Sequence, residues 1–483
     1  MKLLRDILYK VKLENVIGLT NMAIETLTFD SRKQMKFGLF VAVRGGLFDG
    51  HDFIEQAIEK GAVAILCEDL PEELNQKITY VQVKDARSAL ADVASNYFDH
   101  PSNDIKVIGV TGTNGKTSVV TMLYQLYKKL GKKAGLISTI VNKIDDVEIP
   151  SKHTTPDPIE INSLLRQMAD NGCSVCFMEV SSHAMSQERA RGIHFSGGVF
   201  TNLTHDHLDY HKNFNEYLLA KKKFFDGLDK SAFALINDDD KYGEKMVTQS
   251  NAKTWTYALK TEADYKVKIV ESRFDGMLLN VDNEEVWIKL LGAFNAYNIL
   301  AVYAVARLLG NDKMDVLKVL SALNPVEGRF QFFRTASGKS AIVDYAHTPD
   351  ALEKVLETIR AIRTGNESLI TVIGCGGDRD KDKRPIMAQI AGDMSDKVII
   401  TSDNPRTENP ESIIEDMYRG VEADRKTRVI KITDRREAIK AACNLASEGD
   451  IILVAGKGHE KYQEINGVRL PFDDLKVLKE SIE

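Results

Sequence analysis

Short hydrophobic runs, each closed by a polar or glycine-rich turn and followed by helical spacing, recur from about residue 103 to the end of the chain. Such alternation predicts α/β units on mostly parallel sheets covered on both faces. Ile105-Lys106-Val107-Ile108 reads as a buried strand, and residues 119–126 read as a helix with an apolar face. Residues 175–180 and 198–204 read as further strands, 217–225 as a helix, and 292 to about 309 as an apolar helix. From about residue 329 a third unit begins, with strands at 341–343, 369–373, 397–400 and 450–454. Ahead of residue 103 the apolar segments 39–43 and 62–66 flank a helical stretch at 51–60, and His100-Pro101-Ser102 reads as a linker. The pattern predicts an α/β protein of three domains. These are a small N-terminal α/β domain (1–102), a central domain on a mostly parallel sheet (103–328) and a C-terminal Rossmann-like α/β domain (329–483).

Chemistry enters between the first central strand and its helix, at Gly109-Val110-Thr111-Gly112-Thr113-Asn114-Gly115-Lys116-Thr117-Ser118. A glycine-rich turn between strand and helix, closing on Gly-Lys-Thr, is the context of a phosphate-binding loop. Its glycines let backbone N–H groups approach phosphate, and the helix N-terminus adds its positive dipole end. Lys116 would reach the β- and γ-phosphates and the Thr117 hydroxyl would ligate Mg2+, so the loop predicts ATP binding. Glu179 closes a strand where ligands bind in open α/β sheets. It reads either as a metal-holding carboxylate or as an ordinary strand-end acid. His205, His207 and His211 crowd one segment, with no cysteine or distant histidine pattern for zinc. One histidine on a phosphate-bound Mg2+, the others structural, fits better. Periodicity does not choose among Lys221, Lys222 and Lys223, and Asn298 either bonds a base or turns the chain. Four turns at the carboxyl edge of the third unit, at 344–349, 374–380, 401–406 and 455–460, would line a crevice. The lone GxGG at 374–377 is too weak for a dehydrogenase.

Composition narrows the class. With 483 residues the chain exceeds one ordinary core. Its 43% hydrophobic and 28% charged residues are those of a globular protein, and a formal charge of −6 argues against general nucleic-acid binding. No run of about 18 apolar residues is present and Met1-Lys2-Leu3-Leu4-Arg5-Asp6 turns charged too soon for a signal peptide. Five scattered cysteines make no disulfide framework, and Cys173 and Cys176 read as buried strand thiols. A cytoplasmic location is expected.

The ordered strings GVTGTNGKTS (109–118), EVSSHA (179–184), NLTHDHLDYH (202–211), GAFNAYN (292–298), EGRFQ (327–331), DYAHTP (344–349), GCGGDRDKDKRP (374–385) and GKGHE (456–460) closely resemble the Mur ligases, ATP-dependent amide ligases of peptidoglycan assembly. The resemblance spans essentially the whole chain. It implies ATP-driven phosphorylation of the D-Glu side-chain carboxylate of UDP-N-acetylmuramoyl-L-alanyl-D-glutamate, then attack by the amine of meso-2,6-diaminopimelate; the alternative is L-lysine. It also implies that Gly112, Thr113, Asn114, Gly115, Lys116, Thr117 and Ser118, with Asn298, Arg329 and Asp344, contact the nucleotide. Lys116, Glu179, His207 and Lys221 would be catalytic, with Mg2+ held by Thr117, Glu179, His207 and Lys221. In relatives the lysine matching Lys221 carries a carbamate, an anion able to bind metal where an ammonium would be repelled; Lys222 and Lys223 are expected to be surface charges. Ser31, Gly46, Leu47, Phe48, Thr154, Thr155, Ser181, Gln187 and Arg189 match contacts to the nucleotide-sugar substrate, although GGLFDG departs from the GHQADG-like form. Arg379, Asp403, Asn404, Pro405, Arg406, Gly456 and Glu460 match the amino-acid pocket. There an arginine fork suits the second carboxylate of diaminopimelate, and Glu460 is expected to read the distal ammonium. A monomer is expected. Against a folylpolyglutamate synthase stand the Asp403-Asn404-Pro405-Arg406 turn and the Thr154-Thr155-Pro156-Asp157-Pro158 segment. Against a non-catalytic regulator stand the intact Lys116, Glu179, His207 and Lys221.

Overall fold

The computed structural model describes residues 1–45 and 48–482. Its centre is an eleven-stranded sheet in which Lys106–Thr111 lies between the parallel strands Val175–Glu179 and Gly197–Phe200. Parallel pairing continues through Ala134–Ile137 on one side and Phe233–Asn237 and Lys253–Ala258 on the other. With helices over both faces, Val175–Glu179 and Gly197–Phe200 are buried throughout and Lys106–Thr111 is buried beyond Lys106, which is why they read as near-continuous apolar runs. Register places Glu179 opposite Val110 and Phe200 opposite Thr111, so the ends of both neighbours frame the turn that follows Thr111.

The sheet is longer than the sequence reading suggests. Antiparallel strands Val141–Ile144 and Val147–Pro150 extend one edge. Tyr265–Arg273, Gly276–Val281 and Glu284–Ile288 extend the other. Exposed Lys266 and Lys268 alternate there with buried Val267, the half-buried pattern of an outer strand.

Two smaller sheets flank this one. The N-terminal sheet runs in the order Leu13–Ile17, Thr79–Val83, Ala62–Cys67, Gly38–Val41, Thr26–Thr28. The C-terminal sheet runs Gln331–Arg334, Ser340–Asp344, Ile451–Ala455, Leu369–Ile373, Lys397–Ile400, Val429–Lys431, all parallel but the first. The helix Ala293–Leu308 is buried along nearly its whole length, and Phe294 meets Phe330 at 5.9 Å between ring centres. One apolar core thereby continues from the central sheet into the C-terminal unit.

Two readings need correction. His100-Pro101-Ser102 is no free linker: Pro101 and Ser102 are buried, and the Ser102 hydroxyl accepts the His194 amide at 3.0 Å. Lys222 is no surface charge either. It is buried, with its ammonium 2.5 Å from Asp226 and 3.2 Å from Gln249, because helical periodicity turns it inward beside Lys221. Lys223 is exposed, as expected. All five cysteines are free and buried.

Candidate functional site

The helix Lys116–Lys129 starts on Gly115, with no side chain capping its first amides. They are thus left for a ligand, whereas Pro158–Asp170 has its own capped by Asp157. Gly112, at φ +149°, has no room for a side chain: a Cβ would lie 1.9 Å from Thr201 Oγ1. The segment after Gly197–Phe200 clamps the loop. Asn202 accepts the amides of Thr113 (2.8 Å) and Asn114 (2.9 Å), and the Thr201 hydroxyl donates to the Asn114 carbonyl at 2.6 Å. Asn298 sits beneath, its Oδ1 2.6 Å from where a Gly115 Cβ would be. Asn298 and Ser118 are both buried.

A cavity of about 330 Å3 opens above the loop, lined by Thr113–Thr117, Glu179, His207, Lys221, Arg329 and residues of the other strand ends. Lys116 folds back, donating to the carbonyls of Gly112 (2.8 Å) and Thr113 (2.7 Å). Thr117 donates to Glu179 Oε2 at 3.0 Å, and Oε1 of the fully buried Glu179 accepts the Thr139 amide at 2.8 Å. Lys221, 1% exposed, donates to the same Gly112 carbonyl at 2.8 Å, its ammonium 4.7 Å over the Tyr217 ring. Two lysine nitrogens thus donate to one oxygen. Burial first, and then Lys116, push the Lys221 amine well below its ordinary basicity.

Only one of the three crowded histidines faces the cavity. His207 is kept uncharged by burial down to about pH 3, and its ring lies 4.8 Å from that of His183. His205 pairs with Asp380 at 3.2 Å, and His211 bonds the Ser182 hydroxyl at 3.0 Å. Asp206, missed by sequence reasoning although it adjoins His207, also lines the cavity. Burial opposes its ionisation, but His207, His347, Lys383 and Lys116 hold the carboxyl below the ordinary range. At neutral pH, where both imidazoles are uncharged, the two lysines are the cations that remain. Thr139, His153, His183, Tyr345 and His347 are further wall residues that were missed. The quoted strings EVSSHA and DYAHTP contain three of them.

Among the described residues no group of three or more His, Cys, Asp or Glu side chains is set to hold a metal. Thr117 with Glu179 nevertheless suits Mg2+, which takes one or two protein oxygens and fills the rest with phosphate and water. His207, neutral, suits a second cation; Lys221 does so only if its amine becomes an anion.

Substrate-matched residues cluster on one wall. Thr155 donates to the Glu179 carbonyl (2.8 Å) and accepts the Ser181 amide (3.0 Å). Thr154 meets Thr139 at 3.1 Å between hydroxyls. Arg189 donates to the Thr155 carbonyl at 2.8 Å and to Gln187, which in turn reaches Tyr210. Ser31 lies apart in the N-terminal sheet unit, buried and bonded to Gln56 at 2.7 Å. Phe48 is 72% exposed, and Gly46 and Leu47 lie outside the described residues.

The C-terminal unit contributes across the cavity. Arg329 donates to Thr117 Oγ1 at 3.1 Å, stacks 4.4 Å over Tyr345 and keeps a buried Nε without a partner among the described residues. Asp344 is braced inward, accepting the amides of Phe330 (2.6 Å) and Ala346 (2.7 Å). Asn114 of the loop donates to Asp350 at 2.9 Å. Arg379 lines the cavity and, with Arg406, flanks Gly376. Arg406, at φ +51°, donates to the Gly377 carbonyl at 2.7 Å and follows the Pro405 turn. Asp403, Asn404, Gly456 and Glu460 form one neighbouring cluster, with Gly456 (φ +113°) leaving no space for a Cβ beside Asp403 Oδ2.

A phosphate loop on a parallel sheet, a strand-end carboxylate on its threonine and an arginine delivered from another α/β unit define a P-loop enzyme whose site is completed by a second domain. Three consecutive segments match family domains: residues 23–98 the Mur ligase family catalytic domain, 110–306 the Mur ligase middle domain, and 328–458 the Mur ligase glutamate ligase domain. The chain belongs to the Mur ligase family. It is 54% identical over 481 residues, 99% of each chain, to the UDP-N-acetylmuramoyl-L-alanyl-D-glutamate–2,6-diaminopimelate ligase of Cytophaga hutchinsonii. It is 53% identical over 478 residues, again 99% of each, to the protein of that name in Bacteroides thetaiotaomicron. A solved structure of a ligase of that name superposes with a TM-score of 0.69 at 32% identity, covering 100% of this chain and 98% of the other. The MurF ligase of Thermotoga maritima, solved with ADP, shares the fold (TM-score 0.64, 19% identity, 95% and 97% covered).

Proposed function

We propose that this chain joins meso-2,6-diaminopimelate to the D-Glu side-chain carboxylate of UDP-N-acetylmuramoyl-L-alanyl-D-glutamate, consuming ATP, with units 1–102, 103–328 and 329–483 receiving nucleotide-sugar, ATP and amino acid. The full-length identity to ligases of that name carries the reading. A carboxylate resists amines until a phosphoryl group supplies a leaving group. The γ-phosphoryl passes to a D-Glu oxygen and ADP departs. The amine then attacks the carbonyl carbon, loses a proton, and the C–O bond to phosphate breaks.

The chain's part is positioning and charge. Lys116 exchanges its two loop carbonyls for phosphate oxygens, and Arg329 supplies a second cation from the opposite wall. Arg189, tied to Thr155, orients the nucleotide-sugar. Thr117 and Glu179 would hold one Mg2+, and His207 and Lys221 a second. Bound there, the metals would neutralise phosphate charge, and a carbamate on Lys221 would supply the anion that an ammonium lacks. An amine whose proton affinity is depressed by burial is free to add CO2, which supports that modification. We propose a cytoplasmic monomer; among the described residues no helix is long and apolar enough to cross a membrane.

The test is ADP release with Mg2+, ATP and the UDP-dipeptide, comparing meso-diaminopimelate with L-lysine. Turnover with diaminopimelate alone supports the reading. Turnover with lysine alone keeps the ligase and removes the role of Arg406, and turnover with neither refutes it.

A further inference from the structure

Beneath the turns at 401–406 and 455–460, three residues of the amino-acid cluster converge on one cation. Lys457 is fully buried. Its Nζ donates to Asn404 Oδ1 at 2.8 Å and Glu460 Oε2 at 3.2 Å, and lies 3.8 Å from Asp403 Oδ1. Asn404 Nδ2 donates to the same Glu460 oxygen at 2.8 Å, and Asn404 Oδ1 also accepts the Glu464 amide at 2.9 Å. Glu460 Oε2 therefore has two donors, whereas Oε1 has no hydrogen-bond donor among the described residues. The Glu460 side chain keeps 16% exposure; Lys457 has none.

A buried lysine is weak support for stability, since desolvation offsets its attraction to the carboxylates. What this one supplies is orientation: it fixes one oxygen of Glu460 and turns the other outward. We propose that Lys457 is the positioning residue that sets selectivity for a second amino group in the incoming amino acid, holding Glu460 as an oriented carboxylate while touching no substrate itself. This rests on the diaminopimelate reading above.

The groups facing Glu460 are Asp403 and Asn404 from one turn, Lys457 from its own, Arg435 from the helix Arg435–Leu445, Tyr345 from the 344–349 turn, and Tyr462. Without Lys457, two carboxylates share a buried space and one takes up a proton. Asp403 retains Arg435 at 4.0 Å, so the proton goes to Glu460, already pushed upward by burial and by Asp403. A neutral carboxyl then reads an ammonium poorly.

The experiment compares kcat/KM for meso-diaminopimelate with that for 2-aminopimelate, which lacks the distal amine, in wild type, K457M and E460Q. In K457M the ratio falls about 10- to 100-fold, through the KM for diaminopimelate, the worth of one charge-assisted hydrogen bond. The KM values for ATP and UDP-dipeptide stay within about twofold, and the diaminopimelate KM in K457M recovers as the pH is raised and Glu460 ionises. E460Q shows the same loss with no recovery. The ratio is internal to the active fraction, so partial unfolding does not move it. Should K457M give no folded protein, K457Q, which removes the charge while keeping a polar group beside Asn404 Oδ1, replaces it with the same fall expected. An unchanged ratio, or a pH-flat loss in K457M, overturns the proposal. Wild type that ignores diaminopimelate overturns instead the reading on which it rests.

Discussion

Arg435 and Asp474 form an ion pair in which neither side chain is exposed, joined at 2.8 and 2.7 Å. The guanidinium also donates to the carbonyls of Ala455 (2.9 Å) and, more weakly, Ser402 (3.5 Å), the residues that precede Gly456 and Asp403. Asp474→Asn keeps the shape and removes the charge. The amide oxygen still accepts one N–H, and Asp403 Oδ2, 4.0 Å from the guanidinium, supplies partial compensation. Removing one partner of a buried pair costs about 3–5 kcal/mol, and these compensations favour the lower end, about 3 kcal/mol. For a unit the size of 329–483, that moves the midpoint down by about 6–12 °C. Scanning calorimetry is the assay, following the transition of that unit, because a three-domain chain does not melt as one two-state system. A companion Asp474→Leu with Arg435→Met, which leaves no charge behind, should regain most of the loss. A shift below about 2 °C in D474N would refute the reasoning.

Gly112→Ala places a Cβ 1.9 Å from Thr201 Oγ1 at a φ of +149°, so ATP binding measured by calorimetry should vanish while UDP-dipeptide binding persists. His347 and His459 remain uncharged in the fold down to about pH 4 and about pH 3, burial being the main cause, against an ordinary value of 6.5. Below that value the unfolded chain takes up protons that the folded one does not. Stability therefore falls as pH drops from about 6.5 toward 4 and 3, and the H347Q/H459Q double variant should flatten that slope in urea titrations at about pH 7, 6 and 5. Growth of the 13C carbamate resonance in 13C-bicarbonate should be seen with the wild type and be absent from Lys221→Ala; its absence from both would remove the carbamate.

The strand–turn–helix order around residues 109–118 and the strands of the third unit were legible because each element follows the next locally. Of the four turns expected to line the crevice, 344–349 and 374–380 supply wall residues of the 330 Å3 cavity, whereas 401–406 and 455–460 supply none among the described residues. The hairpins at 265–288 were not legible, since their charged solvent faces carry no long apolar run. Lys222 was misplaced because Lys221, Lys222 and Lys223 look alike in sequence, and only the packing beside Asp226 and Gln249 separates them. Asp206, His183 and Tyr345 went unchosen although their strings were noticed. Which member of a polar turn faces a cavity depends on the opposing domain, which local spacing does not encode. Lys457 shows the same limit: its neighbours in the GKGHE turn drew attention, while its own role emerges only from Asn404, far away in the chain.

The open edges of the central and C-terminal sheets meet across one cavity, yet each turn that lines it springs from a strand locked into its own sheet. Chemistry and choice of partner are therefore inherited on separate pieces of scaffold. The turns at 401–406 and 455–460 can drift, or be exchanged as a matched pair, without altering the backbone of residues 109–118. Such a layout lets selection explore new amines on an unchanged activating engine, provided that both turns change together. A single swapped turn would meet a partner shaped for its predecessor.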